Sequence, residues 1–139
     1  MACRVRIKLK RDEACIETSA LINSGFETEA PDIVVPVEVA RRLGLWPPRH
    51  ADFTMLDTGG GEIATPYYEA ALELELLLGD RPPKKAVVNV VVNPHVHEVL
   101  ISDYVASLLG ISILDLKRGL WRLQDEPDKV RSSEEREEW

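Results

Sequence analysis

Three short strings hold residue types that chemistry uses. Leu21-Ile22-Asn23-Ser24-Gly25 places an amide and a hydroxyl where an apolar run ends in a tight turn, since Asn and Gly both tolerate positive φ. Asp57-Thr58-Gly59-Gly60-Gly61 sets a carboxylate on backbone of high freedom, which suits a loop or hairpin tip. His95-Val96-His97 on a strand would turn both rings to one side, as a metal pair needs. The third string is the weakest: Asn93-Pro94 adjoins it and no third ligand has convincing spacing, so a solvent-facing loop and no metal site are expected. A serine nucleophile at Ser24 would need a base, and none of the three histidines is placed by sequence to serve. The glycines after Asp57 lack the lysine that follows a phosphate-cradling loop, and no cofactor is expected.

The elements around these strings follow from periodicity. Cys3, Val5, Ile7 and Leu9 alternate with Arg4, Arg6, Lys8 and Lys10, a half-buried strand whose cationic face reads as solvated and as a deterrent to edge pairing. A polar turn at Arg11–Glu13 leads to a second strand, Ala14–Ile22. Pro36–Leu43 predicts a two-turn helix with Val37, Ala40 and Leu43 as its buried stripe and Gly44 closing it. The segment Tyr67–Leu78 alternates at Leu72, Leu74 and Leu76 and pairs, across a turn at Gly79–Lys85, with the β-branched run Ala86–Val92. Ser102 or Asp103 caps a second short helix with Val105, Leu108 and Leu109 on one face and Gly110 at its end. Ile111–Leu116, a turn at Lys117–Gly119 and Leu120–Leu123 close the pattern. Seven to nine short strands and two short helices without βαβ alternation predict a mainly antiparallel, closed or sandwiched sheet.

The segment ALINSGFETEAPDIVVPVEVARRLGL then resembles the retropepsin-like aspartic proteases, whose signature is two apolar residues, Asp, Ser or Thr, and Gly. VLISDYVASLLGISILDLKRGLWRL is similar to that family's apolar pair, Gly, short helix and closing strand, and DTGGGE lies where the family carries a glycine-rich flap. The likeness covers roughly residues 3 to 123 in order and spacing. It implies a closed, antiparallel, acid-protease-like β-barrel with two short helices, one domain per subunit, assembled as a homodimer around a cleft for a peptide or an unfolded protein segment. It assigns Asn23, Ser24 and Gly25 to the catalytic turn and Asp57, Thr58, Gly59, Gly60 and Gly61 to the flap, with Ser24 bonding across the two-fold axis. Two residues depart from the family: Asn23 stands at the catalytic Asp, and Ser102 at the glycine before the second helix.

In that family each subunit supplies one Asp, and the pair shares a proton so that one takes a proton from water while the other donates to the carbonyl. An amide does neither, so the chain as written is expected to be inactive or strongly impaired, as a natural pseudo-protease or an inactivated variant; a non-catalytic peptide-binding module is the alternative. Met55-Leu56-Asp57-Thr58-Gly59 fits the Asp-Thr-Gly pattern more closely than Asn23 does. The span from Asp57 to Ser102 is too crowded to hold a helix, a flap and its return strands, so Asn23 keeps the catalytic position.

Composition bounds these readings. The chain has 139 residues, 45% hydrophobic, enough for one core. Its net charge of −7 disfavours nucleic acid and anionic membranes as partners. No apolar stretch approaches a membrane helix, and the charged start MACRVRIKLKRDE differs from a signal peptide, so a cytoplasmic protein is expected. Cys3 and Cys15 are too few for a disulfide framework and are expected as reduced thiols. Trp46 and Trp121 read as packing anchors. Residues 124–139 carry seven acids against three bases with few apolar groups, and are expected to be a disordered acidic tail beyond a domain at 1–123.

Overall fold

The computed structural model describes residues 2–23, 26, 28–49, 51–58 and 61–139, with backbone alone at 56–58 and 63. The period-two pattern of the first strand is realised in β1 (Arg4–Arg11), where Val5, Ile7 and Leu9 are fully buried. It forms a hairpin with β2 (Ala14–Ile22), the register running from Arg4–Leu21 to Arg11–Ala14. β3 (Asp32–Val35) leads through Pro36 into α1 (Val37–Arg42). β4 (Asp52–Thr58) and β5 (Gly61–Leu76) make the long hairpin, and β6 (Lys84–Val92) returns against β5. β7 (Val99–Ile101) feeds α2 (Asp103–Leu108), after which β8 (Ile111–Asp115), β9 (Leu120–Leu123) and β10 (Arg131–Ser132) form a three-stranded sheet.

The fold is mainly β, and its main sheet closes. The order β1-β2-β7-β3-β6-β5 returns to β1 through pairs such as Ile7–Leu76 and Leu9–Leu74, giving a six-stranded barrel with β4 appended to β5. The antiparallel expectation needs correcting at two joints, because β2 pairs with β7 and β3 with β6 in parallel. Their sequences carry the mark of such joints: Ile33-Val34-Val35 and Val90-Val91-Val92 are buried on consecutive residues, with no polar alternation. Parallel neighbours also need a long crossover, which α1 and the β4–β5 hairpin supply between β3 and β6.

The helices are where expected, with different buried faces. α1 buries Val39, Ala40 and Leu43 while Val37 is half-exposed; α2 buries Val105, Ala106 and Leu109 and leaves Leu108 56% exposed. Trp121 is buried and Trp46 packs against the same core, which fills the barrel. Each fully buried aliphatic side chain there contributes about 1.5–3 kcal/mol. Among the described residues no helix is long and apolar enough to cross a membrane.

The expectation of a disordered tail is corrected together with that of a solvated cationic strand, because the two cover each other. Ser133 N donates to Gly119 O at 2.7 Å and Glu134 N to Arg4 O at 2.8 Å, so the chain runs along the β1 edge. Gly119 has φ 66, and a Cβ there would lie 2.6 Å from Ser133 Cβ. Arg6 is held by Glu134 at 2.9 Å and Glu137 at 2.5 Å, Ser19 N donates to Glu137 Oε1, and Glu137 N donates to Ser19 Oγ. Trp139 N donates to His97 O, its indole N–H to Thr18 Oγ1, and the Arg42 guanidinium lies 5.0 Å from its ring. Few apolar groups are needed to hold this segment, because charge-assisted bonds to a basic strand replace them.

Candidate functional site

The two halves of the sequence signature are brought together by the parallel joint. β2 and β7 align Ala20 with Val99, Leu21 with Leu100 and Ile22 with Ile101, so both apolar runs end at the same rim of the barrel. Ile22 and Ile101 are buried, which fixes the register, since a one-residue slip of either strand would turn its own isoleucine outward. Asn23 N donates to Ile101 O at 3.2 Å, and Asn23 O accepts from Phe26 N at 2.9 Å, closing the turn. Ser24 and Gly25 lie outside the described residues. Asn23 itself is half-buried.

The turn is pinned from the other side by the start of α2. Asp103 N donates to Phe26 O at 3.2 Å, and Asp103 Oδ1 accepts from Thr28 N at 3.4 Å and Tyr104 N at 2.8 Å. Ser102 is fully buried; its hydroxyl accepts from Val105 N at 3.3 Å and its own N–H donates to Asp32 O at 3.4 Å. The residue that departs from the family's glycine therefore works as the N-cap of α2.

A polar network that the sequence did not disclose adjoins this rim. Asp32 Oδ1, at the start of β3, accepts from Asn89 Nδ2 at 2.9 Å and from Tyr67 Oη at 3.2 Å, and Asn89 Oδ1 accepts from Ala70 N at 2.8 Å. Ala70 has φ 47 and sits in the bulge between Tyr68 and Leu72, where its amide leaves the ladder and needs this acceptor. Burial, and then the Asp32 charge and hydrogen bond, push the Tyr67 phenol above its ordinary value. Nothing local marks Asp32: it is one acid before a β-branched run, 35 residues from Tyr67 and 57 from Asn89.

The segment Asp57–Gly61, expected as a loop or hairpin tip, lies at the end of the β4–β5 hairpin, with pairs running from Asp52–Tyr67 to Asp57–Glu62 and Thr58–Gly61. Asp57 and Thr58 are described as backbone of β4, Gly61 opens β5 at φ 121, and Gly59 and Gly60 lie outside the described residues. Residues 61–76 continue directly as β5, so no helix follows Asp57. His95 and His97 are exposed in the loop between β6 and β7, and no group of three potential metal ligands occurs among the described residues.

The site thus consists of a turn at Asn23 and a capped helix at Ser102, bonded to each other at one barrel rim. Its main-chain groups are bonded to one another and the Ser102 hydroxyl is buried in the cap, which leaves Asn23 as its half-buried polar side chain among the described residues. No family model matches the chain, and no curated protein matches it.

Proposed function

We propose that this chain is a retropepsin-like aspartic endopeptidase domain, working as a symmetric homodimer, in which Asn23 has silenced hydrolysis. The observation that carries the reading is the parallel in-register pairing of Ala20–Ile22 with Val99–Ile101, which sets the signature turn against the helix that follows the second apolar pair. The β4–β5 hairpin with its glycine-rich tip supports it as a flap. Half a cleft carries half a dyad, so the dimer is required by the chemistry. With Asp at position 23 from both subunits, one carboxylate would activate water and the other protonate the scissile carbonyl. With Asn23 both roles are lost, and positioned acid–base catalysis of this kind is worth about 10²–10⁴-fold.

The test is Asn23→Asp, assayed on an unfolded protein from acidic to neutral pH. Cleavage by the Asp form alone supports a silenced protease. Two silent forms that still retain an extended peptide favour the second reading, a peptide-binding module in the same cleft. A chain that sediments as a monomer at micromolar concentration contradicts both.

A further inference from the structure

We propose that the cleft between the β1–β2 turn and the chain after α1 is a binding site for an organic anion carried on a flat ring, a phosphate or a carboxylate. This is independent of how Asn23 is read. The cleft holds about 290 Å³, at the small end of ligand sites, and its walls include Arg11, Arg49, Trp46 and Tyr68 with the backbone of Gly44. Among the described residues no acidic side chain lines it.

The charge pattern makes this unusual. In a protein of net charge −7, the arginines are taken up by carboxylates: Arg4, Arg6, Arg41, Arg42, Arg81, Arg118, Arg131 and Arg136 all make ion pairs. Among the described residues Arg11, Arg49 and Arg122 have none, and two of these three meet in one cleft. Arg11 is positioned rather than loose. Its Nη1 donates to Leu43 O at 3.2 Å, at the end of α1, which leaves the rest of the guanidinium fork for a second acceptor. A Cβ at Gly44, where φ is 76, would come within 2.9 Å of that Nη1, so glycine keeps the space the guanidinium occupies. Tyr68 Oη donates to Leu45 O at 2.8 Å and so orients its ring at the cleft.

Two guanidiniums match a planar or tetrahedral oxyanion by paired N–H donors, and Trp46 and Tyr68, which pack on the core behind, line the same cleft, where a flat apolar body would meet the exposed parts of their rings. The adjoining cleft of about 540 Å³ shares Arg11, Leu45 and Tyr68 but is lined by Asp12, Asp52, Glu69 and Glu73 as well. Those acids confine the anion to the Arg49 end and repel a ligand that is anionic at both ends.

Phenyl phosphate, benzoate, inorganic phosphate and phenol, titrated calorimetrically into the full chain, form the test. Saturable one-to-one binding of phenyl phosphate is expected, tighter than that of inorganic phosphate or phenol, and about tenfold weaker in Arg49→Gln. Benzoate binding more tightly than phenyl phosphate would keep the site and assign it to a carboxylate. Arg49 is exposed and has no ion pair or hydrogen bond among the described residues, so Arg49→Gln should melt with the parent; Arg11→Lys, which keeps the charge but loses the fork, is the second variant. No saturable binding, equal affinity in both variants and the parent, or inorganic phosphate binding as tightly as phenyl phosphate overturns the proposal.

Discussion

Arg4 and Glu98, 94 residues apart, form a two-pronged ion pair, with Nε to Oε1 at 2.9 Å and Nη2 to Oε2 at 3.2 Å. It ties the start of β1 to the loop before β7, and Arg136 joins from the C-terminal segment at 3.1 Å. The Glu98 side chain is 8% exposed, so its charge depends on these partners, whereas Arg136 is 51% exposed. Arg4→Ala is expected to cost about 2 kcal/mol, because it removes two charged hydrogen bonds from a buried carboxylate and leaves it to the exposed Arg136 alone. Arg136→Ala should cost less than about 1 kcal/mol, as exposed pairs do. Urea midpoints at unchanged m-value measure both, and equal losses would contradict the burial argument.

Ser102 gives a second, sharper contrast. Its hydroxyl is the side-chain cap of α2, accepting from Val105 N. Ser102→Ala should cost about 1 kcal/mol, and Ser102→Gly, which restores the residue the family resemblance calls for, only a few tenths. A larger loss for Gly than for Ala would show that the serine serves some purpose other than capping.

What the sequence disclosed and what it hid divide by distance along the chain. The β1–β2 hairpin, the β5–β6 hairpin and both helices follow from local period and punctuation, because Val5, Ile7 and Leu9 or Pro36 and Gly44 act on near neighbours. The association of Asn23 with Ser102 came from resemblance, since no pattern in either segment points at the other. β3 escaped notice because Asp32–Val35 is four residues without alternation, buried on successive positions by two flanking strands. Composition alone misplaces the C-terminal segment because it omits the partner: Glu134 and Glu137 are solvating charges alone, and ligands of Arg6 when β1 lies beside them.

Acid sensitivity follows from the carboxylates that arginines hold. Hydrogen bonds from Arg41 and Arg42 bring Glu38 from its ordinary 4.5 down to about 2, and Arg81 and Arg131 lower Asp125 and Glu126. A carboxylate depressed by folding contributes stability that is complete above its unfolded pKa and is lost as pH falls through the folded one. The melting temperature should therefore hold above pH 4.5 and decline toward pH 2. Molar salt should shrink the decline, since these pairs are exposed. Glu38→Gln should remove its share of the slope at low salt, and an unaltered acid limb in that variant would show that the pairs on α1 do not couple to folding.

The cysteines turn the fit of the C-terminal segment into a rate. Cys15 is exposed on β2, whereas Cys3 is fully buried at the start of β1 and burial pushes its thiol up to about 11. A thiol reagent at neutral pH should modify Cys15 quickly and Cys3 slowly, and Cys15→Ser should abolish the fast phase. Cys3 O accepts from Ile22 N, and Arg4 beside it is bonded to Ser133 and Glu134, so reaching the thiol requires both the hairpin and the segment along its edge to part. If those contacts open only with the whole fold, the Cys3 rate should follow global stability and rise in urea with the full m-value. A Cys3 rate that is insensitive to urea yet rises with salt would show that the acidic segment lifts from β1 by itself, through the ion pairs of Arg6 with Glu134 and Glu137.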